Sequence, residues 1–156
     1  MAQFEGCPGS RMQDFRPAAT DSAVAVGEVK SQLGQWPVQM HLISPQAPYF
    51  QGADVLLTAD CVAYAMGGFH PEYLKGKSLG IACPKLDEGQ EEYIEKIKAW
   101  LDDAKINTLT VMIMQVPCCR GLLSLAQQAV QAATRKVPLK LIVVGVQGDI
   151  IEEEWL

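Results

Sequence analysis

The sequence predicts a three-layer α/β sandwich built around a mainly parallel, Rossmann- or flavodoxin-like sheet. Three observations predict it. Four short apolar runs, at 53–60, 77–82, 108–115 and 139–146, read as strands buried on both faces. Amphipathic helical stretches separate the last three of these runs. Strand, helix, strand, helix, strand with short loops is the signature of right-handed crossovers between parallel strands. At 156 residues the chain is long enough for one core without staples.

Element by element, residues 1–35 read as an irregular N-terminal arm with a short helical turn near Val29–Leu33, and residues 36–156 as a single α/β domain. "WPVQMHLI" (36–43) has an alternating character and reads as a strand. "SPQAPYFQG" is loop by its prolines and glycine. "ADVLLTAD" (53–60) is the first buried strand. "CVAYAMGGFHPEYLKGK" turns, with short helical pieces broken by Gly67, Gly68 and Pro71. "KSLGIAC" (77–83) is the next strand.

"LDEGQEEYIEKIKAWLDDA" is the clearest helix. Asp87 is placed to cap it with Gln90 three residues on, and Glu91 and Glu92 suit the positive end of its dipole. Ile94, Ile97, Leu101 and Ala104 share a face, with Tyr93 and Trp100 beside them. "NTLTVMIMQV" (107–116) is a strand with Met112 and Met114 in the core. "GLLSLAQQAVQAATRK" (121–136) is a helix burying Leu122, Leu125, Ala129 and Ala133, and "PLKLIVVGV" (138–146) is the last strand. The tail "IIEEEWL" is amphipathic enough to dock on a neighbouring surface, or to end free in solvent. No internal repeat or low-complexity segment appears.

Composition narrows the function. The chain is 49% hydrophobic and 20% charged, ordinary for a globular protein. A net charge of −5 without a basic stripe argues against a nucleic-acid or anionic-membrane partner. The longest apolar runs are too short to span a bilayer. "MAQFEGCPGS" lacks the charged start and apolar stretch of a signal peptide, so a cytoplasmic location is expected. There is no G-x-G-x-x-G and no G-x-x-x-x-G-K, and "GVQGD" at 145–149 is a weak phosphate-loop signal.

The five cysteines are an odd number, which excludes a fully paired disulfide framework. Cys61 follows the strand 53–60, Cys83 closes 77–82, and Cys118 and Cys119 follow 108–115. In a parallel sheet these ends share one edge, where open α/β sheets bind ligands. One cysteine at a strand end is usually a small buried hydrophobe. Four delivered to one rim by three separated stretches is an arrangement that packing does not require.

The helix starting near Gly121 aims its first amides at Cys118 and Cys119, which favours the thiolate. Pro84 and Pro117 stiffen the ligand loops. Cys7, in "GCPGS", is placed to come over the rim as a further ligand or lid. No Cys-x-x-Cys spacing occurs, so a zinc ribbon or ferredoxin run is unsupported. Dispersed thiolates suit zinc or an iron–sulfur cluster, and softness alone does not separate them. A metal-free thiol–disulfide oxidoreductase using Cys118 and Cys119 is a third reading, weakened by the strain of a vicinal disulfide.

"GCPGS", "QWPVQ", "DC" before an aromatic-rich loop, "CPKLD" and "PCC-x-GL" occur in this order in a family of ferredoxin-linked iron–sulfur proteins from anaerobes, which the chain resembles over residues 4–150. In that family this region follows an N-terminal ferredoxin-like segment with two four-iron clusters. The present sequence begins almost at "GCPGS", so its electrons are expected from another protein, and it carries Arg120 where the family is glycine-rich.

The resemblance implies a 4Fe-4S cluster at the strand-end rim, ligated from among Cys7, Cys61, Cys83, Cys118 and Cys119. It also implies electron transfer or a small reductase reaction, and a redox partner such as a ferredoxin. A homodimer is compatible with it. The metal alternative stays a zinc-bearing structural or interaction module.

Of the other polar residues, His70 is either a rim residue or a surface or capping histidine. His41 reads as a core or edge residue of a strand. Asp60 is either a hydrogen-bond acceptor behind the ligands or a solvated loop carboxylate. Neither histidine forms a Cys–His–Asp set at recognisable spacing, so a cysteine hydrolase has little support.

Overall fold

The computed structural model describes residues 8–16 and 27–156. The chain runs β1 (Gln13–Asp14), β2 (Gln35–Trp36), β3 (Asp54–Ala59), α1 (Val62–Ala65), a π-helical segment Phe69–Leu74, β4 (Ser78–Ala82), α2 (Glu91–Asp102), β5 (Thr108–Met114), α3 (Arg120–Ala132), β6 (Leu139–Val144) and β7 (Ile150–Trp155). Five strands form one sheet in the order β4-β3-β5-β6-β7, and β1 pairs with β2 in a small antiparallel ribbon. The first four strands of the sheet are parallel, with Leu57 opposite Gly80 on one side and Val111 on the other. The fold is the expected α/β architecture with a mainly parallel sheet.

Apolar runs without polar alternation are buried on both faces, as β5 shows with six consecutive buried residues after Thr108. On one face lie α2 and α3, which bury Tyr93, Ile97, Trp100, Leu101, Leu122, Leu125, Ala126 and Ala129. Ile97 and Leu101 are fully buried, each worth about 1.5–3 kcal/mol relative to exposure. The indole of Trp100 reaches the sheet at Gly80. A Cβ there would stand 2.9 Å from both Trp100 Cη2 and Met40 Sδ, so no side chain fits. The opposite face is covered by α1 and the segment Phe69–Leu74, which bury Val62, Phe69 and Leu74.

Several local expectations are corrected. Residues 28–34 contain no helical turn. Residues 36–43 are not a strand beyond Trp36, because Pro37 has no N–H for a ladder and 40–42 turn. The chain there still covers the free edge of β4. The buried Gln35 amide donates to Leu79 O and accepts from Leu79 N, both at 2.8 Å, and Gln39 forms an isolated parallel bridge to Ile81. Pro71 does not break its segment but is its third residue, where first-turn amides have no intrahelical partner anyway. His41 lies in the turn, exposed, with its ring against Tyr93 and Nε2 at 2.6 Å from Glu88 O.

The tail is neither docked elsewhere nor free. It forms β7, antiparallel to β6, and "GVQGD" is the connecting turn, closed by Gly145 N–H to Asp149 O at 2.8 Å. Lys140 anchors it from β6, paired with Glu153 and 5.3 Å from the centre of the Trp155 ring. Among the described residues no helix is long and apolar enough to cross a membrane.

Candidate functional site

The parallel strands β3, β4 and β5 end on one edge, and the cysteines begin where the ladders stop. Asp60 N–H donates to Ala82 O at 3.1 Å, extending the pairing of β3 with β4 by one residue. Cys61 comes next, exposed, as the residue that opens α1. Cys83 directly follows β4 and is half-buried. Pro117–Cys119 form a single 3-10 turn after β5. That turn leaves Cys118 exposed and Cys119 at the head of α3, packed into the core at 7% exposure.

Asp87 fixes the Cys83 loop. Its Oδ2 accepts from Cys83 N–H at 2.9 Å, from Tyr93 O–H at 2.6 Å and from Gln39 Nε2 at 3.2 Å, while Asp87 N–H donates back to Cys83 O at 2.9 Å. The Gln90 amide donates to Pro84 O at 2.7 Å and to Asp87 O at 2.9 Å, closing the same loop. The expected capping of α2 by Asp87 is therefore replaced by a loop clamp, and Gln90 opens the helix without a side-chain cap. Burial, and then the bond to Asp87, push the Tyr93 hydroxyl well above the ordinary tyrosine range. The pattern of an aspartate four residues after Cys83 was visible in "CPKLD" as a loop-closing spacing.

The thiols come together in part. Burial raises the Cys119 thiol above its ordinary value; a hydrogen bond with the Met114 backbone opposes this, and Cys118 and Cys61 both push it further up. Those two influences place Cys61, Cys118 and Cys119 in one electrostatic neighbourhood. Burial of Cys119 thus works against the thiolate that the α3 N-terminus is expected to favour. The Cys83 loop reaches the same spot. A Cβ on Gly121, in the first turn of α3, would lie 3.1 Å from Cβ of Pro84, a tight approach that a side chain would meet only if the loop gave by a few tenths of an ångström.

Cys61, Cys83, Cys118 and Cys119 are free thiols. Cys7 lies outside the described residues. Among the described residues no three His, Cys, Asp or Glu side chains form a ready-made group for a metal ion. The exposed and half-exposed thiols nonetheless have the soft-donor chemistry that a thiolate-bound metal group requires.

Two further residues matter. Asp60 Oδ1 is buried with no hydrogen-bond partner among the described residues, and burial followed by the charge of Asp87 raises the carboxyl above its usual range. This is a stronger feature than a solvated loop carboxylate, which the sequence left equally open. His70 Nδ1 accepts from Gln32 N–H at 3.0 Å, so it serves the chain segment before β2 and is not a helix cap.

Comparison with known proteins gives two findings. A family model described as a Rossmann-like domain matches residues 47–156. An uncharacterized protein of Archaeoglobus fulgidus is 27% identical over 121 residues, covering 76% of this chain and 83% of its own. No solved structure matches.

Proposed function

The chain belongs to the Rossmann-like domain family over residues 47–156, and from that premise we propose that it is a cytoplasmic iron–sulfur redox protein holding its cluster at the carboxyl edge of the parallel sheet. Open sheets of this kind bind ligands at that edge. The observation that carries the reading is that three strand ends, joined by two crossovers, deliver Cys61, Cys83 and the Cys118–Cys119 pair to it, with the Cys119 thiol under the influence of both Cys61 and Cys118.

Cys61, Cys83 and Cys118, none of them buried, are the thiols that would hold the group. Cys7 or Cys119 would complete the set. A four-iron cluster, when bound, supplies one-electron transfer at a thiolate-ligated centre. The protein's own part is positional. Asp87 clamps the Cys83 loop, and Pro84 lies where a Cβ on Gly121 would crowd it, which brings that loop beside the first turn of α3. The burial and raised value of Cys119 weigh against a thiol–disulfide couple with Cys118, since exchange needs an accessible thiolate.

The same edge carries Tyr64, 95% exposed, Leu86, 79% exposed, and Val146, on the segments after β3, β4 and β6. Apolar groups around a redox centre suit a transient protein partner of ferredoxin type.

Protein purified without oxygen is expected to be brown, to contain iron and acid-labile sulfide, and to lose its visible absorbance on adding dithionite. Colourless protein with stoichiometric zinc and no sulfide would establish the zinc module instead. Single Cys→Ser variants locate the ligands: full iron retention in Cys83→Ser or Cys118→Ser would break the strand-end argument.

A further inference from the structure

The two lateral edges of the main sheet are finished differently. The edge at β4 is covered, by the Gln35 amide on Leu79 and by the bridge from Gln39 to Ile81. The other edge is β7, the last strand in the sheet order, and among the described residues no strand pairs with its outer side. Five of its six residues are exposed and Glu152 is half-buried. Natural sheets seldom leave such an edge bare, because a row of unpaired N–H and C=O groups is a template for another strand.

The register sorts the side chains of this edge into two faces. Glu152 stands opposite Val143 and Glu154 opposite Leu141, on one face. Neither has an ion-pair partner among the described residues. Ile150 opposite Val144, Glu153 opposite Ile142 and Trp155 opposite Lys140 share the other face. There Lys140 pairs with Glu153, which leaves that face without net charge and the Trp155 ring 59% exposed. One face of the edge is therefore acidic and the other apolar. A second copy does not fit it. Two β7 strands run antiparallel about a twofold axis would set glutamates against glutamates, and like charges directly opposite are destabilising.

We propose that the outer edge of β7 receives an extended segment of another protein as an added strand, with alternating cationic and apolar side chains. Main-chain hydrogen bonds to the free edge hold it, its lysines or arginines meet Glu152 and Glu154, and its apolar residues lie beside Ile150 and Trp155. The chain as a whole carries a net charge of −5, so its field also draws a cationic segment in. The edge includes no cysteine and the inference needs no metal, so it and the cluster reading fail separately: peptide binding tests one, and iron content the other.

The test uses the full chain, kept reduced, with two short capped peptides as probes, one alternating lysine and valine and the other alternating glutamate and valine. Amide shifts in nitrogen-15 spectra are expected at 150–155 with the lysine peptide, weakening as salt is raised. The glutamate peptide should bind at least about tenfold more weakly. In Glu152→Lys combined with Glu154→Lys the preference should reverse, with dispersion of the spectrum confirming the fold. Equal binding of the two peptides, or a preference that survives the charge reversal, would overturn the role of the glutamates. Unchanged affinity in Trp155→Ser would overturn the role of the apolar face. Shifts spread over other acidic surfaces, or none at millimolar peptide, would overturn the site. Concentration-dependent broadening confined to β7 in the protein alone would make a second copy the occupant and overturn the proposal.

Discussion

Replacing Asp87 tests the clamp under Cys83. In Asp87→Ala the Tyr93 hydroxyl, on a residue with no exposure, loses its acceptor. A buried donor left unsatisfied costs about 1–3 kcal/mol, and the upper half of that range applies because water does not reach it. The Cys83 amide loses the same acceptor but belongs to a half-buried residue, so water replaces part of the loss at about 1 kcal/mol. Gln39 regains solvent at little cost. The expected destabilisation is about 3 kcal/mol.

Asp87→Asn keeps an oxygen in place and forfeits only the charge assistance, so about 1 kcal/mol is expected. Tyr93→Phe combined with Asp87→Ala removes donor and acceptor together, and the pair should cost at least about 1 kcal/mol less than the sum of the singles. Urea unfolding followed by the fluorescence of the buried Trp100 measures all four midpoints. A loss below about 1 kcal/mol in Asp87→Ala, or single effects that simply add, would refute the clamp.

Two further outcomes follow from the thiols and tyrosines. In a Cys7→Ser background, native protein treated with an aromatic disulfide reagent should modify Cys61 and Cys118 quickly and Cys119 only on unfolding, because Cys119 is buried and its thiol is pushed up. Fast labelling of Cys119, read by peptide mass, would contradict its place in the core. Cys119, Tyr49 and Tyr93 all hold their protons more tightly folded than unfolded, chiefly through burial. Their contribution is complete below the unfolded values, about 8.5 for cysteine and about 10 for tyrosine, and is lost as pH rises through the folded ones. The unfolding free energy should therefore fall steadily above about pH 9. A flat profile to pH 11 would count against these burials.

The sheet was legible because its strands carry unmixed apolar runs, and because Ile97, Leu101, Leu122 and Ala129 recur at helical spacing. Those signals are local and repeat. Gln35 was not legible: it does the work of a strand through one side chain, and nothing in a single glutamine announces that it will pair with Leu79 forty-four positions away. β7 was missed because Glu152, Glu153 and Glu154 break the alternation of a half-buried strand, and only Lys140 across the ladder explains the central one.

At the site, the shared edge of Cys61, Cys83 and Cys118 could be read from strand ends. The divergence of Cys118 from Cys119 could not, since it depends on the rotation of one 3-10 turn. Asp87 was visible, but two partners competed for it: a helix start and an amide four residues back. The tertiary position of Tyr93 settled the competition.

Gathering the rim thiols has an entropic consequence. About twenty residues separate Cys61 from Cys83, and about thirty-five separate Cys83 from Cys118. Closing loops of that length in a free chain costs about 3 kcal/mol apiece. A chain with closely spaced ligands can collect a metal while unfolded and then fold around it. Here the rim thiols come from three separated stretches, and the loops between them are closed by the β3, β4 and β5 ladders without any ligand. On the proposed reading, folding comes first and loading second. Unlike small zinc domains, whose apo forms are unfolded, a protein of this build that held the proposed cluster should give it up to a chelator and keep its sheet, ready to be filled again.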